Sequence, residues 1–167
     1  MKKLSDAKKS VLGNMIIRQT MGRTRKEDKI KDKDELLKKI QEEYDNQNSG
    51  VTHKLDLTML DVSLVEDMSN LFKHCSYLES IDVSNWDVSN VRSMQCIFYN
   101  CESLKFIDVS NWNIKNCEDI TYMFRNCFSL ESIDVSKWDV SNVIYIYDTF
   151  AGCNFNYKKE GNKLVRI

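Results

Sequence analysis

Five glycines among 167 residues leave little material for a glycine-rich phosphate loop, and neither that motif nor a G-x-S-x-G elbow occurs. The two histidines, His53 and His74, stand at no spacing that a zinc site uses, and there is no C-x-x-C pair. No metal and no cofactor are therefore expected, and no enzyme, because catalysis needs unlike groups converging on one point. No stretch reaches the eighteen or so apolar residues of a membrane span. The opening carries lysines like a leader. Its apolar part, "VLGNMII", is however short, interrupted by Gly13 and Asn14, and followed by Arg18 instead of a small-residue cleavage site. With no export signal legible, the cytoplasm is the default expectation.

What the chain does have is unevenly placed. The net charge of −1 hides a basic head, residues 1–33, with eleven Lys/Arg against four Asp/Glu. The remaining residues hold thirteen against twenty-one. Such a head suits nucleic acid, an anionic membrane or an acidic partner, or else is a solvated tail.

The strongest signal is repetition. "LESIDVSNWDVSNV" from Leu78 and "LESIDVSKWDVSNV" from Leu130 differ at one position, and "LKFIDVSNWNIKNC" from Leu104 lies midway. Cys75, Cys101, Cys127 and Cys153 keep the same 26-residue spacing, as do Phe72, Phe98, Phe124 and Phe150, and Trp86, Trp112 and Trp138. A degenerate earlier copy begins at Leu55. A fixed period of this length predicts an α/β repeat, a leucine-rich-repeat-like solenoid of about 3.5 coils with a parallel sheet on one face. Alternation places Ile81 and Val83 inward and Ser80, Asp82 and Ser84 outward. Val91, Met94, Ile97, Phe98 and Cys101 then follow helical spacing, with Ser89 or Asn90 as N-cap.

The expected organisation is a basic helix and linker over 1–33, a helical N-terminal cap over 34–50, the repeats over 51–153, and a C-terminal capping hairpin over 154–167. Leu4, Ala7, Val11, Leu12, Met15 and Ile16 trace one helical face, and Leu36, Leu37, Ile40 and Tyr44 another. The hairpin is centred on Glu160-Gly161-Asn162.

Over residues 34–153, the pattern C-x-S-L-x-x-I-D-V-S-x-W-D-V-S-N-V-x-x-M-x-x-x-F resembles the BspA-like bacterial leucine-rich repeat surface proteins. It is similar in particular to a subfamily with "LDLSxWDTSNVTNMxxMFxxC" units and no assigned chemistry. The resemblance implies a non-enzymatic surface protein that binds host or neighbouring-cell proteins.

Several residues bear on binding. Four cysteines fall in register and read as small core hydrophobes, as does Cys117, which replaces a valine. Cys96 has no cysteine counterpart and is open to exposure. Asp82, Asp108 and Asp134 are expected to form a ladder, extended by Asp56. Their mutual repulsion needs hydrogen bonds from Ser84 and Ser110, a cation, or a basic partner. Asp87 and Asp139 read as turn formers. Phe106 replaces an outward serine, which makes it a contact hot spot or a neighbour of the tryptophan turns. Tyr145 and Tyr147 are expected to meet the C-terminal hairpin in preference to a ligand. The expected protein-binding face is Ser80, Asp82, Phe106, Asp108, Ser132 and Asp134, and its acidity favours a basic partner. The alternative is an intracellular scaffold docking on nucleic acid or an anionic membrane through Lys8, Lys9, Arg18, Arg23, Arg25 and Lys26. No small-molecule substrate is expected in either case.

Overall fold

A computed structural model describes residues 29–47 and 54–167. The helix expected around Leu4–Ile16, the six basic residues from Lys8 to Lys26, and His53 lie outside the described residues.

The helix α1, Lys33–Gln47, has a sequence reason at its start. Asp32 caps it: the Asp32 Oδ1 accepts the Glu35 N–H at 3.0 Å, and the Glu35 carboxylate accepts the Lys31 N–H at 2.9 Å. This reciprocal arrangement satisfies two donors that the first turn leaves unpaired. Leu36 and Ile40 are fully buried on one side of α1, whereas Tyr44, assigned to the same face, is partly exposed. Lys33 fixes the helix start to the repeats through Asp67 at 3.1 Å and the Ser69 hydroxyl at 2.7 Å.

The strands are short. β1 (Lys54–Asp56), β2 (Ser80–Asp82) and β3 (Phe106–Ile107) form one parallel sheet in the order β1-β2-β3, with Leu55 paired to Ile81 and Ile81 to Ile107. β4 (Tyr157–Glu160) and β5 (Lys163–Arg166) form an antiparallel hairpin. The hairpin is fastened to the last repeat by the Val140 N–H on the Asn162 carbonyl at 2.9 Å and by the Tyr157 hydroxyl on the Ile133 carbonyl at 2.9 Å.

This corrects the expected architecture. Among the described residues there are one helix and two small sheets, and only three parallel strands, in place of a solenoid of about 3.5 coils with a continuous sheet. The fourth copy, residues 130–135, forms no strand. The chain leaves each strand early because an aspartate just there bends it: Asp56, Asp82 and Asp108 each accept the N–H two residues ahead, at 3.0, 3.1 and 3.0 Å. The helix expected from Val91 to Cys101 is also absent, and successive turns occupy that span. Left-handed backbone interrupts any helix there, with positive φ at Cys96 and Asn100 and at the matching Asn70, His74, Tyr122, Asn126, Asp148 and Gly152. Gly152 has a further reason to be glycine, since a Cβ there would stand 2.8 Å from the Asn126 Oδ1.

Contacts between neighbouring repeats recur at constant offsets. Met94, Cys96, Phe98 and Asn100 donate their N–H groups to the carbonyls of Asp119, Thr121, Met123 and Arg125, each at 2.9 Å. Equivalent rows link residues 68–74 to 93–99, and 120–126 to 145–151. Inside these rows Phe72, Phe98, Phe124 and Phe150 stack ring on ring at 5.2, 5.2 and 5.8 Å. Beside this stack, with Trp86 6.3 Å from the Phe72 ring, Trp86 and Trp112 lie parallel at 6.4 Å. The indoles of Trp86, Trp112 and Trp138 donate to the carbonyls of Leu57, Val83 and Val109 at 3.0, 3.3 and 3.1 Å. Each buried indole N–H thus finds an acceptor in the preceding repeat, on a carbonyl that also takes a backbone N–H from its own turn.

Two outcomes test this packing. Phe98→Ala empties a site walled by Phe72 and Phe124 and is expected to cost about 3–5 kcal/mol in urea unfolding. Trp112→Phe removes the indole's bond to the Val83 carbonyl, which keeps the Trp86 N–H, and leaves part of the ring site empty, with an expected loss of roughly 1–3 kcal/mol.

Candidate functional site

The parallel sheet presents its outward residues in a shallow groove of about 400 Å³. Lys54 and Asp56 come from β1, Ser80 and Asp82 from β2, and Phe106 and Asp108 from β3 and its exit. Register explains the grouping: Lys54 pairs with Ser80, Asp56 with Asp82, and Ser80 with Phe106. Side chains at paired positions on one face stand within reach of each other. The floor is Leu55 and Ile81, whose side chains turn into the core.

Four of the six expected contact residues, Ser80, Asp82, Phe106 and Asp108, therefore share one groove. Ser132 and Asp134 do not line it; they are exposed beyond the last strand, where the fourth copy fails to pair. Phe106 is 63% exposed. Lys54 was overlooked in the sequence. Its place was recoverable, since it precedes Ser80 by one repeat in the degenerate first copy.

The aspartate ladder is held in place by local hydrogen bonds. The Asp82 Oδ1 accepts the Ser84 hydroxyl at 2.7 Å, and the Asp108 Oδ1 accepts the Ser110 hydroxyl at 2.7 Å. The Asp134 Oδ1 accepts the Ser136 N–H at 2.9 Å. The Ser110 hydroxyl and N–H hold the Asp108 carboxyl below its ordinary 3.8, against smaller opposing effects of desolvation and of Asp134. Ser136 acts likewise on Asp134. Each carboxylate has one oxygen committed to its own turn, so the groove offers fixed negative charge. Asp87 and Asp139 are turn formers of the same kind, accepting the Ser89 and Ser141 N–H groups at 3.0 Å. Among the described residues no group of three or more His, Cys, Asp or Glu is placed to hold a metal ion.

The cysteines lie away from this groove. Cys101, Cys127 and Cys153 each donate the thiol to the carbonyl of Phe72, Phe98 and Phe124, at 3.1, 3.2 and 3.2 Å. Cys96 is 8% exposed, so its lack of a repeat partner did not bring it to the surface. Burial pushes the Cys117 thiol up to about 11 and Cys153 up to about 12, and raises Cys101 and Cys127 as well. Tyr145 and Tyr147 lie at the surface. They are 60% and 65% exposed, and Tyr147 meets the Tyr122 ring at 5.6 Å.

Two measurements check these environments. Because the folded values of Asp108 and Asp134 lie below 3.8, their contribution to stability is present above that pH. It is lost as pH falls through the folded values. The Ser110→Ala/Ser136→Ala double variant is expected to show a flatter decline in stability between about pH 4 and pH 2 than the parent chain. At neutral pH, the native chain is expected to react with a thiol reagent far more slowly than the urea-unfolded chain, which should expose all six thiols.

No curated protein and no solved structure matches the chain. A family model does match, over residues 38–162, and it is described as a Mycoplasma protein of unknown function, DUF285. The matched span takes in most of α1, all three parallel strands, the groove and the first strand of the hairpin. With three quarters of its length covered, the chain belongs to the DUF285 family.

Proposed function

We propose that the chain is a non-enzymatic protein-binding module whose contact face is the acidic groove around Phe106. The observation that carries this reading is the setting of that ring. It stands open to solvent on a face of small residues with three carboxylates, Asp56, Asp82 and Asp108, against one lysine, Lys54, and the sequence keeps serine at the matching positions 80 and 132. An exposed aromatic anchor inside a charged rim is the arrangement from which a few residues supply most of an interface's binding energy. The carboxylates of Asp82 and Asp108 favour a basic partner segment, and they steer its approach more than they add to final affinity.

The resemblance of the repeats to BspA-like surface proteins supports an adhesive or cell-surface setting for this activity. The alternative, docking on nucleic acid or an anionic membrane through Lys8, Lys9, Arg18, Arg23, Arg25 and Lys26, rests on residues outside those described, so the groove carries the reading.

A random twelve-residue peptide library selected on the intact chain tests it. Enriched peptides should be rich in Lys and Arg and should bind Phe106→Ala and Asp108→Lys at least about tenfold more weakly than the parent. Enrichment of acidic peptides, or binding indifferent to both substitutions in folded protein, would sink the proposal.

A further inference from the structure

The face formed by the turn rows differs from the strand face in what it repeats. Along the strand face the copies keep the same polar groups, with aspartate at 82, 108 and 134 and serine at 84, 110 and 136. Along the turn rows the inward residues are kept, phenylalanine at 72, 98, 124 and 150, but the residues at two other positions change from copy to copy. Positions 70, 96, 122 and 148 are Asn, Cys, Tyr and Asp, and positions 73, 99 and 125 are Lys, Tyr and Arg. Unlike groups therefore converge on one surface of a repetitive chain, as a specific site requires.

They line a cleft of about 540 Å³ whose walls include Asn70, Lys73, Gln95, Tyr99, Tyr122 and Arg125. The rings form a line: His74 meets Tyr99 at 5.3 Å, Tyr99 meets Tyr122 at 6.2 Å, and Tyr122 meets Tyr147 at 5.6 Å. Two cations lean over it, the Lys73 ammonium 5.5 Å from the Tyr99 ring centre and the Arg125 guanidinium 5.1 Å from that of Tyr122. Arg125 is already paired with Asp148. Lys73 has no carboxylate partner among the described residues.

We infer that this cleft binds an acidic sugar. The C–H face of the pyranose ring would rest against the Tyr99–Tyr122 pair, and its carboxylate would pair with Lys73. The Asn70 and Gln95 amides would meet its hydroxyls. C–H groups of a sugar carry partial positive charge and suit the negative face of an aromatic ring. Side-chain amides both donate and accept, as hydroxyls do. Lys73 and Arg125 repel a cationic ligand, and the polar lining offers little to an apolar one. Single-stranded nucleic acid needs successive platforms for its bases and a run of cations for its phosphates. Here the rings are tilted by 54° and 76° to their neighbours, and Lys73 is the one cation on the line without a carboxylate partner. The site is separate from the Phe106 groove and does not depend on it.

The test titrates the intact chain with N-acetylneuraminic acid and with trigalacturonic acid, following assigned backbone amides by NMR. Lactose and a twelve-residue oligouridine serve as comparators. At least one acidic sugar is expected to bind with a Kd of about 1 mM or tighter, shifting the amides of residues 96–99 and 122–125. Lys73→Met should weaken that binding about tenfold or more and abolish the preference over lactose. Tyr99→Leu, at a half-buried position, should weaken it while leaving the rest of the spectrum in place, and Phe106→Ala should leave it unchanged. The inference is overturned if neither acidic sugar binds by about 10 mM, a Kd at the very weak end of specific recognition. It is equally overturned if lactose binds as well, if Lys73→Met has no effect, or if oligouridine binds more tightly at the same amides.

Discussion

The hydrogen bond from an N–H in one repeat to a carbonyl in the next governs most of this structure. It recurs twelve times in the turn rows, between 2.7 and 3.0 Å. It needs two things at once. Every second residue must aim its N–H along the direction of repetition, which the left-handed residues at 70, 74, 96, 100, 122, 126, 148 and 152 accomplish. Neighbouring repeats must also stand in register, which the stacked phenylalanines enforce from inside. Neither is sufficient alone. Turn conformations without packing are conformationally expensive, and stacked rings without the backbone rows would leave buried amides unsatisfied.

This division of labour leaves the surface free. The inward positions and the backbone carry stability, so the outward ones are unconstrained by the repeat and have taken two characters. One face repeats aspartate and serine, which tie each other down and produce a steady negative field interrupted by a single aromatic ring. Along the turn rows, by contrast, positions 70, 96, 122 and 148 and positions 73, 99 and 125 carry a different group in each copy. Buried, poorly ionised thiols lie between, serving as shape and as weak donors to phenylalanine carbonyls.

Much of this could be read from the sequence, and the failures have physical causes. The 26-residue offset and the inward residues Ile81, Val83, Phe98 and Cys101 were legible because burial repeats where identity repeats. The helix over Val91–Cys101 was misread because a run of turns also sends residues i, i+3, i+4 and i+7 inward, so apolar spacing cannot separate the two. The asparagines at 70, 100 and 126 and the glycine at 152 were the available signal, since these residues tolerate left-handed backbone best. Strand length was misjudged because alternation persists through Asp82 and Ser84 after the hydrogen-bonded pairing has ended. The groove was legible in part. Repeat logic placed Asp82, Phe106 and Asp108 side by side, but it could not foresee that pairing would stop before Ser132. The turn-row cleft escaped because its residues share no motif and converge only in three dimensions.

The turn-row bonds all point one way: each donor belongs to the earlier repeat and each acceptor to the later one. Peptide dipoles aligned head to tail in this manner add together, as they do along a helix. The rows therefore carry a polarity, negative towards residues 67–73 and positive towards residues 146–152. At the positive end, the N–H groups of Ile146, Asp148, Phe150 and Gly152 meet no backbone acceptor among the described residues. A carboxylate at position 148 and a lysine at the start of α1 are both matched in sign to the end they occupy: Asp148 stands where the field is positive, and Lys33 reaches Asp67 and Ser69 where it is negative. The repeat thus gives a chain of nearly zero net charge a built-in electrical direction.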